Sequence, residues 1–239
     1  MGVRLKACAL ALVLFVAAGG GLAARGQSAP VEVEGWDISA LDARIAESAA
    51  KDKPAAAAAY LERANFFYEA GEPQLYKLAL GDFRRVLRLQ PENREAREKM
   101  QTIVSIYESL RRPVPENGGD RDAHNDPAVR YRLKPQAVEL APEGRSVTVS
   151  ERLPPRVSYV YELKGGAARG VHLSLETHGG GEATFEVYRG RVGPATRVAA
   201  GVTDWRGILS ADGPFLIKVT PKEKAVRYHL TVEAGPPAT

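Results

Sequence analysis

LERANFFYEAGEPQLYKLALGDFRRVLRLQP, residues 61–91, carries two apolar patterns of helical period on either side of a Gly-Glu-Pro turn. In the first arm Tyr60, Ala64, Phe67 and Tyr68 recur at spacings of three and four, which places them on one face of an α-helix. Gly71 follows, where glycine most readily adopts the left-handed conformation that closes a helix. In the second arm Leu75, Leu78, Ala79, Phe83, Val86, Leu87 and Leu89 form one broad stripe, and Pro91 prevents continuation. The spacing predicts a helical hairpin, with the small Ala64 and Ala79 allowing two backbones to approach closely.

The helices on either side follow from the same signals. Asp37 is placed to cap a helix bearing Ile38, Leu41 and Ile45 that runs to about Lys51, with Trp36 outside the cap as a hydrophobic staple on Leu41. Pro54 suits the first turn of the next helix, and the alanines at 55–59 favour helix and tight packing. After Pro91 a fourth helix, from about Glu92 to Arg111, carries Ala96, Met100, Ile103, Tyr107 and Leu110 along one stripe.

The hairpin resembles the tetratricopeptide repeat. Tyr60, Ala64, Phe67, Gly71, Ala79, Phe83, Val86 and Pro91 match that family's order of aromatic, small, aromatic, Gly, Ala, aromatic, small and Pro. The match spans about one repeat. It departs at Val86, where the family usually has Ala, and in three extra residues between Gly71 and Ala79. Loop closure grows costly only slowly with length, so the hairpin is expected to tolerate them. The resemblance implies a binding face on the first helix, carried here by Leu61, Asn65, Tyr68 and Glu69. Asn65 would clamp a peptide backbone with its donor and acceptor, and Tyr68 would supply apolar area with a polar tip. The rival reading packs Tyr68 on the neighbouring helix and leaves Asn65 on a wet surface. Two hairpins are too few to bury a solenoid core alone, so further helices, a second domain or a partner must close the set.

At the N-terminus, MGVRLK brings two positive charges and ACALALVLFVAA is an uninterrupted apolar run of twelve. That is the grammar of a secretory signal peptide over residues 1–26, with small residues allowing cleavage after Ala23 or after Gly26. An uncleaved anchor is the alternative, although twelve residues rise only about 18 Å as a helix against a hydrocarbon core of about 30 Å. Cys8, the one cysteine, lies within this segment, so the exported chain would hold no thiol and no sulfur-based metal or redox site. The formal charge of +4 also comes largely from this segment: without Arg4, Lys6 and Arg25 there remain 30 bases and 29 acids, and the earlier cut, which keeps Arg25, leaves +2. The basic balance is therefore no nucleic-acid footprint.

Residues 27–35 are mostly polar and read as a lead-in, residues 36–111 as the helical domain, and residues 112–129, RPVPENGGDRDAHNDPAV, as a Pro/Gly linker. Within the linker Asp120, Asp122, His124 and Asp126 alternate like the start of a calcium loop. Asn125 and Tyr131 replace the glycine and closing acid such a loop needs, so a solvated hinge is expected. From Arg130 the period becomes alternating. Strands are predicted at 146–150, 158–163, 171–175, 183–188, 204–209, 214–219 and 225–232, giving a β-sandwich over 130–236 with a short tail at 237–239. Phe185, Trp205, Phe215, Tyr228 and Leu230 are its expected core. This half is similar to the bacterial prepeptidase C-terminal domain, a jelly-roll-like sandwich, through SVTVSERL, SYVYELKGG, VHLSLET, ATFEVY, AAGVTDWRGIL, GPFLIKVTP and YHLTV. The resemblance implies a non-catalytic role in binding, secretion or surface attachment. Some relatives bind calcium near the linker, but no acidic cluster opens the sandwich here, so calcium is not carried over.

No catalytic constellation emerges. His172, Glu176 and His178 share a strand face, but residues four apart along a strand are separated by about 13 Å and cannot hold one ion. No Gly-x-Ser-x-Gly occurs, Gly179 to Gly181 read as a hairpin turn, and Glu62 with Glu69 read as helix solvation rather than a glycosidase pair. No cofactor or metal is expected. The sequence predicts α+β in separate domains, all-α hairpins followed by an all-β sandwich, in a non-catalytic adaptor exported to the bacterial periplasm or beyond. Its partner would be another envelope protein or peptide. Polysaccharide or peptidoglycan bound through the sandwich is the alternative.

Overall fold

The computed structural model describes residues 31–115, 131–165, 169–209 and 213–237. The apolar N-terminal run, the 120–126 acidic stretch and most of the linker lie outside the described residues. The chain opens with two short strands, β1 (Val31–Glu34) and β2 (Trp36–Asp37), and continues into four helices: α1 (Ser39–Ala49), α2 (Lys53–Glu69), α3 (Tyr76–Leu89) and α4 (Arg94–Ser109). Local chemistry sets their ends. The Asp52 carboxylate accepts from the Ala55 N–H at 2.7 Å with Pro54 behind it, Gly71 closes α2 at φ +70°, and Asn93 accepts from the Ala96 N–H at 3.0 Å. Successive helices pack on one another, burying Ala64, Phe67, Leu75, Ala79, Phe83, Ala96 and Ile103 in one core.

After β3 (Tyr131–Lys134), which pairs with β1 in a separate two-stranded sheet, the sandwich is built from β4 (Gln136–Glu139), β5 (Ser146–Leu153), β6 (Ser158–Lys164), β7 (Arg169–His178), β8 (Ala183–Arg189), β9 (Arg197–Val202), β10 (Asp204–Leu209), β11 (Phe215–Pro221) and β12 (Val226–Pro237) together with β2. One sheet runs β10-β7-β12-β5. The other runs β2-β6-β11-β8-β9, with β4 pairing parallel to β6 beyond β2. Alternate residues of both sheets meet in the middle: Tyr161, Phe185, Phe215 and Ile217 face Leu173, Leu175, Tyr228 and Leu230. The Tyr161 and Tyr228 hydroxyls share a 2.6 Å hydrogen bond across this core, which satisfies two polar groups that would otherwise be buried without partners. Burial raises the pKa of both hydroxyls, so the pair stays neutral.

Three expectations change. Residues 31–34 are a strand rather than a lead-in: β1 lies parallel to β3, Val31 opposite Tyr131, with Val31 and Val33 buried and Glu32 and Glu34 exposed. Trp36 and Asp37 belong to the sandwich sheet, paired with Tyr159 and Ser158 of β6, although Asp37 still accepts from the Ser39 N–H. The two halves therefore do not stand apart. Trp205 is half-buried at the edge of the core rather than within it.

Candidate functional site

The helices meet the sandwich along a seam built from both. Val157, just before β6, is fully buried in the helical core. Trp36 stands edge-on between Phe66 of α2 and Tyr159 of β6, with ring centroids 5.5 Å and 4.7 Å away. Such edge-to-face pairs add about 0.5–1.5 kcal/mol each beyond the area they bury. Gly35 lets the chain pass under the Tyr159 ring, with its N–H bonded to the Lys134 carbonyl and its carbonyl accepting from the Val160 N–H. Two ion pairs pin the edges: Arg156 to Glu62 at 2.7 Å and Lys218 to Asp37 at 2.6 Å.

The second pair is largely screened from solvent and sets a pH dependence. Burial pushes the Asp37 carboxyl up, but Lys218 and the Ser39 amide more than offset this and leave it below the ordinary aspartate range. A depressed carboxyl contributes stability above its unfolded pKa, near 4, and loses it as pH falls through the folded value. Lys218→Met is expected to cost about 1–2 kcal/mol at pH 7, with the gap to the parent narrowing below about pH 4 as Asp37 is protonated. Urea unfolding across pH 3–7 measures this, and a gap independent of pH would contradict it.

Beside the seam lies a groove of about 380 Å³. One wall is α2, through Glu62, Asn65, Phe66, Glu69 and Ala70, the positions i, i+3, i+4, i+7 and i+8 of one helical face. The other is the end of β5 and the turn after it, through Glu151, Arg152, Pro154, Pro155 and Val157, with Trp36 and Leu41 at the floor. Neither half forms this groove alone. Its apolar floor with polar rims suits an extended chain segment.

Of the four residues carried over from the repeat pattern, Asn65 and Glu69 line the groove and Leu61 and Tyr68 do not. Asn65 spends both ends of its amide on α4, donating to Glu95 at 2.9 Å and accepting from Lys99 at 2.9 Å. Glu69 faces Lys99 at 3.6 Å. Leu61 packs against the helical core, and Tyr68 sits between Tyr76 and Phe83 with the Lys99 ammonium 5.5 Å from its ring centre. The sequence reading thus selected the α4 side of α2, whereas the groove lies on the neighbouring face, against the sandwich.

The other candidates resolve into local pairs. Glu62 is held by Arg44 and Arg156. His172 shares a 2.6 Å hydrogen bond with Asp204 and lies 3.5 Å from Glu233, while His178 packs edge-on against His229 of β12, whose Nδ1 is 2.6 Å from the Ser150 hydroxyl. Among the described residues no three His, Cys, Asp or Glu side chains are placed to hold a metal ion, and no helix is long and apolar enough to cross a membrane.

No family model matches the chain, and no curated protein matches it. Solved structures to which part of the chain is similar include PliG, a periplasmic inhibitor of g-type lysozyme, from Aeromonas hydrophila (21% identity, TM-score 0.33, covering 42% of this chain and 97% of that one). PliG from Salmonella Typhimurium is similar at 16% identity and TM-score 0.32, covering 42% of this chain and 99% of that one. So is the pre-peptidase C-terminal domain of a Bacillus anthracis collagenase, at 16% identity and TM-score 0.33, covering 42% and 95%.

Proposed function

We propose that this chain is an exported, non-catalytic adaptor of the bacterial cell envelope that holds a segment of another protein in the groove between α2 and the β5–β6 turn. The observation that carries this reading is the groove's construction: an apolar floor of Trp36 and Leu41 between a helix face and a sheet edge. The signal-like N-terminus supports export, and the absence of a catalytic constellation in the sequence favours binding over turnover. The tetratricopeptide-like hairpin serves on this reading as one wall of the site, with Asn65 and Glu69 on its rim. Polysaccharide bound through the sandwich has less support, because Trp205, the sandwich's own tryptophan, packs against the core and over Gly207 instead of presenting an open platform.

The test is site-specific photo-crosslinking in cells. With the crosslinker at Arg152 in the groove wall, one discrete protein adduct is expected, joined through a single segment. The adduct should be lost when Ala70→Phe fills the groove without lowering the melting temperature. A crosslinker at the exposed Thr102 of α4 should give none. An adduct that survives the filled groove, or that forms equally from position 102, would contradict the reading.

A further inference from the structure

Carboxylates outnumber cations along the groove, whose lining holds one basic residue, Arg152. Glu69 and Glu151 line it, Glu72 follows in the turn after α2, and Glu34 directly precedes Gly35, which lies against the Tyr159 ring next to Trp36. Glu69 has Lys99 nearby, whereas Glu72 accepts from Gln74 and Glu151 from the Arg152 N–H. Among the described residues no lysine or arginine forms an ion pair with Glu34, Glu72 or Glu151. The three nonetheless act on one place: burial first, then Glu151, Glu34 and Glu72, push the Tyr159 hydroxyl up to about 12. The 17-residue helix α2 also ends here, adding the negative end of its dipole. Glu69 and Glu151 thus line the groove itself, and Glu34 and Glu72 act on the Tyr159 ring beside it.

We propose that the groove's occupant is a cationic segment of a partner protein. Its aliphatic or proline residues would lie over Trp36, Phe66 and Pro154, with a lysine or arginine at the Glu34, Glu72 and Glu151 end. This rests on the docking reading above. A long basic side chain fits both features, since its methylene stem covers apolar surface while its head meets carboxylates. Charge complementarity decides against an acidic or neutral segment, which would bring no counter-charge to that end.

The experiment uses the purified full-length chain with a photo-crosslinker at Arg152 and a random short-peptide display library as probe. Captured peptides should be apolar and enriched in lysine plus arginine at least about threefold over the library. Capture should fall several-fold near 1 M salt, where the Debye length shrinks to about 3 Å. The Glu34→Gln, Glu72→Gln, Glu151→Gln triple variant, whose substitutions all lie at exposed or half-exposed positions, should keep its melting temperature and lose the basic enrichment. Apolar peptides captured without basic enrichment, or enrichment that survives the triple variant, overturn the cationic assignment and leave the docking site standing. No capture at position 152 overturns the docking site itself, and the assignment with it.

Discussion

Asp82→Ala is expected to destabilise the protein by about 3–5 kcal/mol, the usual consequence of breaking a buried ion pair by removing one member. Arg63 of α2 is 3% exposed and Asp82 of α3 is 2% exposed. The Arg63 guanidinium donates through Nε and Nη2 to the two Asp82 oxygens at 2.7 Å and 2.8 Å, and through Nη1 to Asp42 of α1 at 2.6 Å. Three helices are thereby fixed in register by one side chain. Burial alone would lower the Arg63 pKa, but Asp82 and Asp42 together raise it, so the ion stays charged at every pH the fold survives. Replacing both members, Arg63→Met with Asp82→Leu, is expected to recover at least half of the loss, because apolar side chains of similar volume need no counter-charge. Chemical denaturation of the single and double variants measures both terms. A single variant within about 1 kcal/mol of the parent would show that the pair is solvated rather than buried.

Gly35→Ala is the second large effect, at about 3 kcal/mol. Gly35 has φ +75°, a conformation that costs a side-chain-bearing residue about 1 kcal/mol, and a Cβ built there would lie 2.1–2.5 Å from the Tyr159 ring. Relieving that overlap means moving the ring that supports Trp36, worth a further 1–3 kcal/mol or so. For a chain of this size the melting temperature should fall by about 6–12 °C. Gly144→Ala is the control: its φ is +73° with nothing within 4 Å of the added carbon, so backbone strain alone should appear, about 1 kcal/mol. Equal losses at the two positions would remove the collision from the explanation.

Elements with their own period were legible in the sequence. The four helices end within two residues or so of where Asp37, Pro54, Gly71 and Pro91 place them, because these residues carry local signals. The seven expected strands all form, since apolar and polar residues alternate along them. Strands whose burial depends on a distant partner were not. Val-Glu-Val-Glu at 31–34 alternates, yet its partner β3 lies 100 positions away, as the Arg132–Glu32 contact shows. Strand β9 has no buried residue to give it a period. The groove was half legible for the same reason. Pattern transfer selects a face within the helical half, whereas the groove needs Pro154, Pro155 and Val157, which only the tertiary fold brings to α2. One local signal was present: Asp82, a charge inside the Leu78, Ala79, Phe83 and Val86 stripe, marks a buried partner.

On this structure the helices and the sandwich fold as one unit whose seam builds the groove. Differential scanning calorimetry of the full-length chain tests it most directly. A single transition with a calorimetric to van't Hoff enthalpy ratio of about 1 is expected, which Gly35→Ala lowers without splitting. Two resolved transitions in the unsubstituted protein would contradict it, because the halves would then melt separately and the groove between them would have no fixed walls.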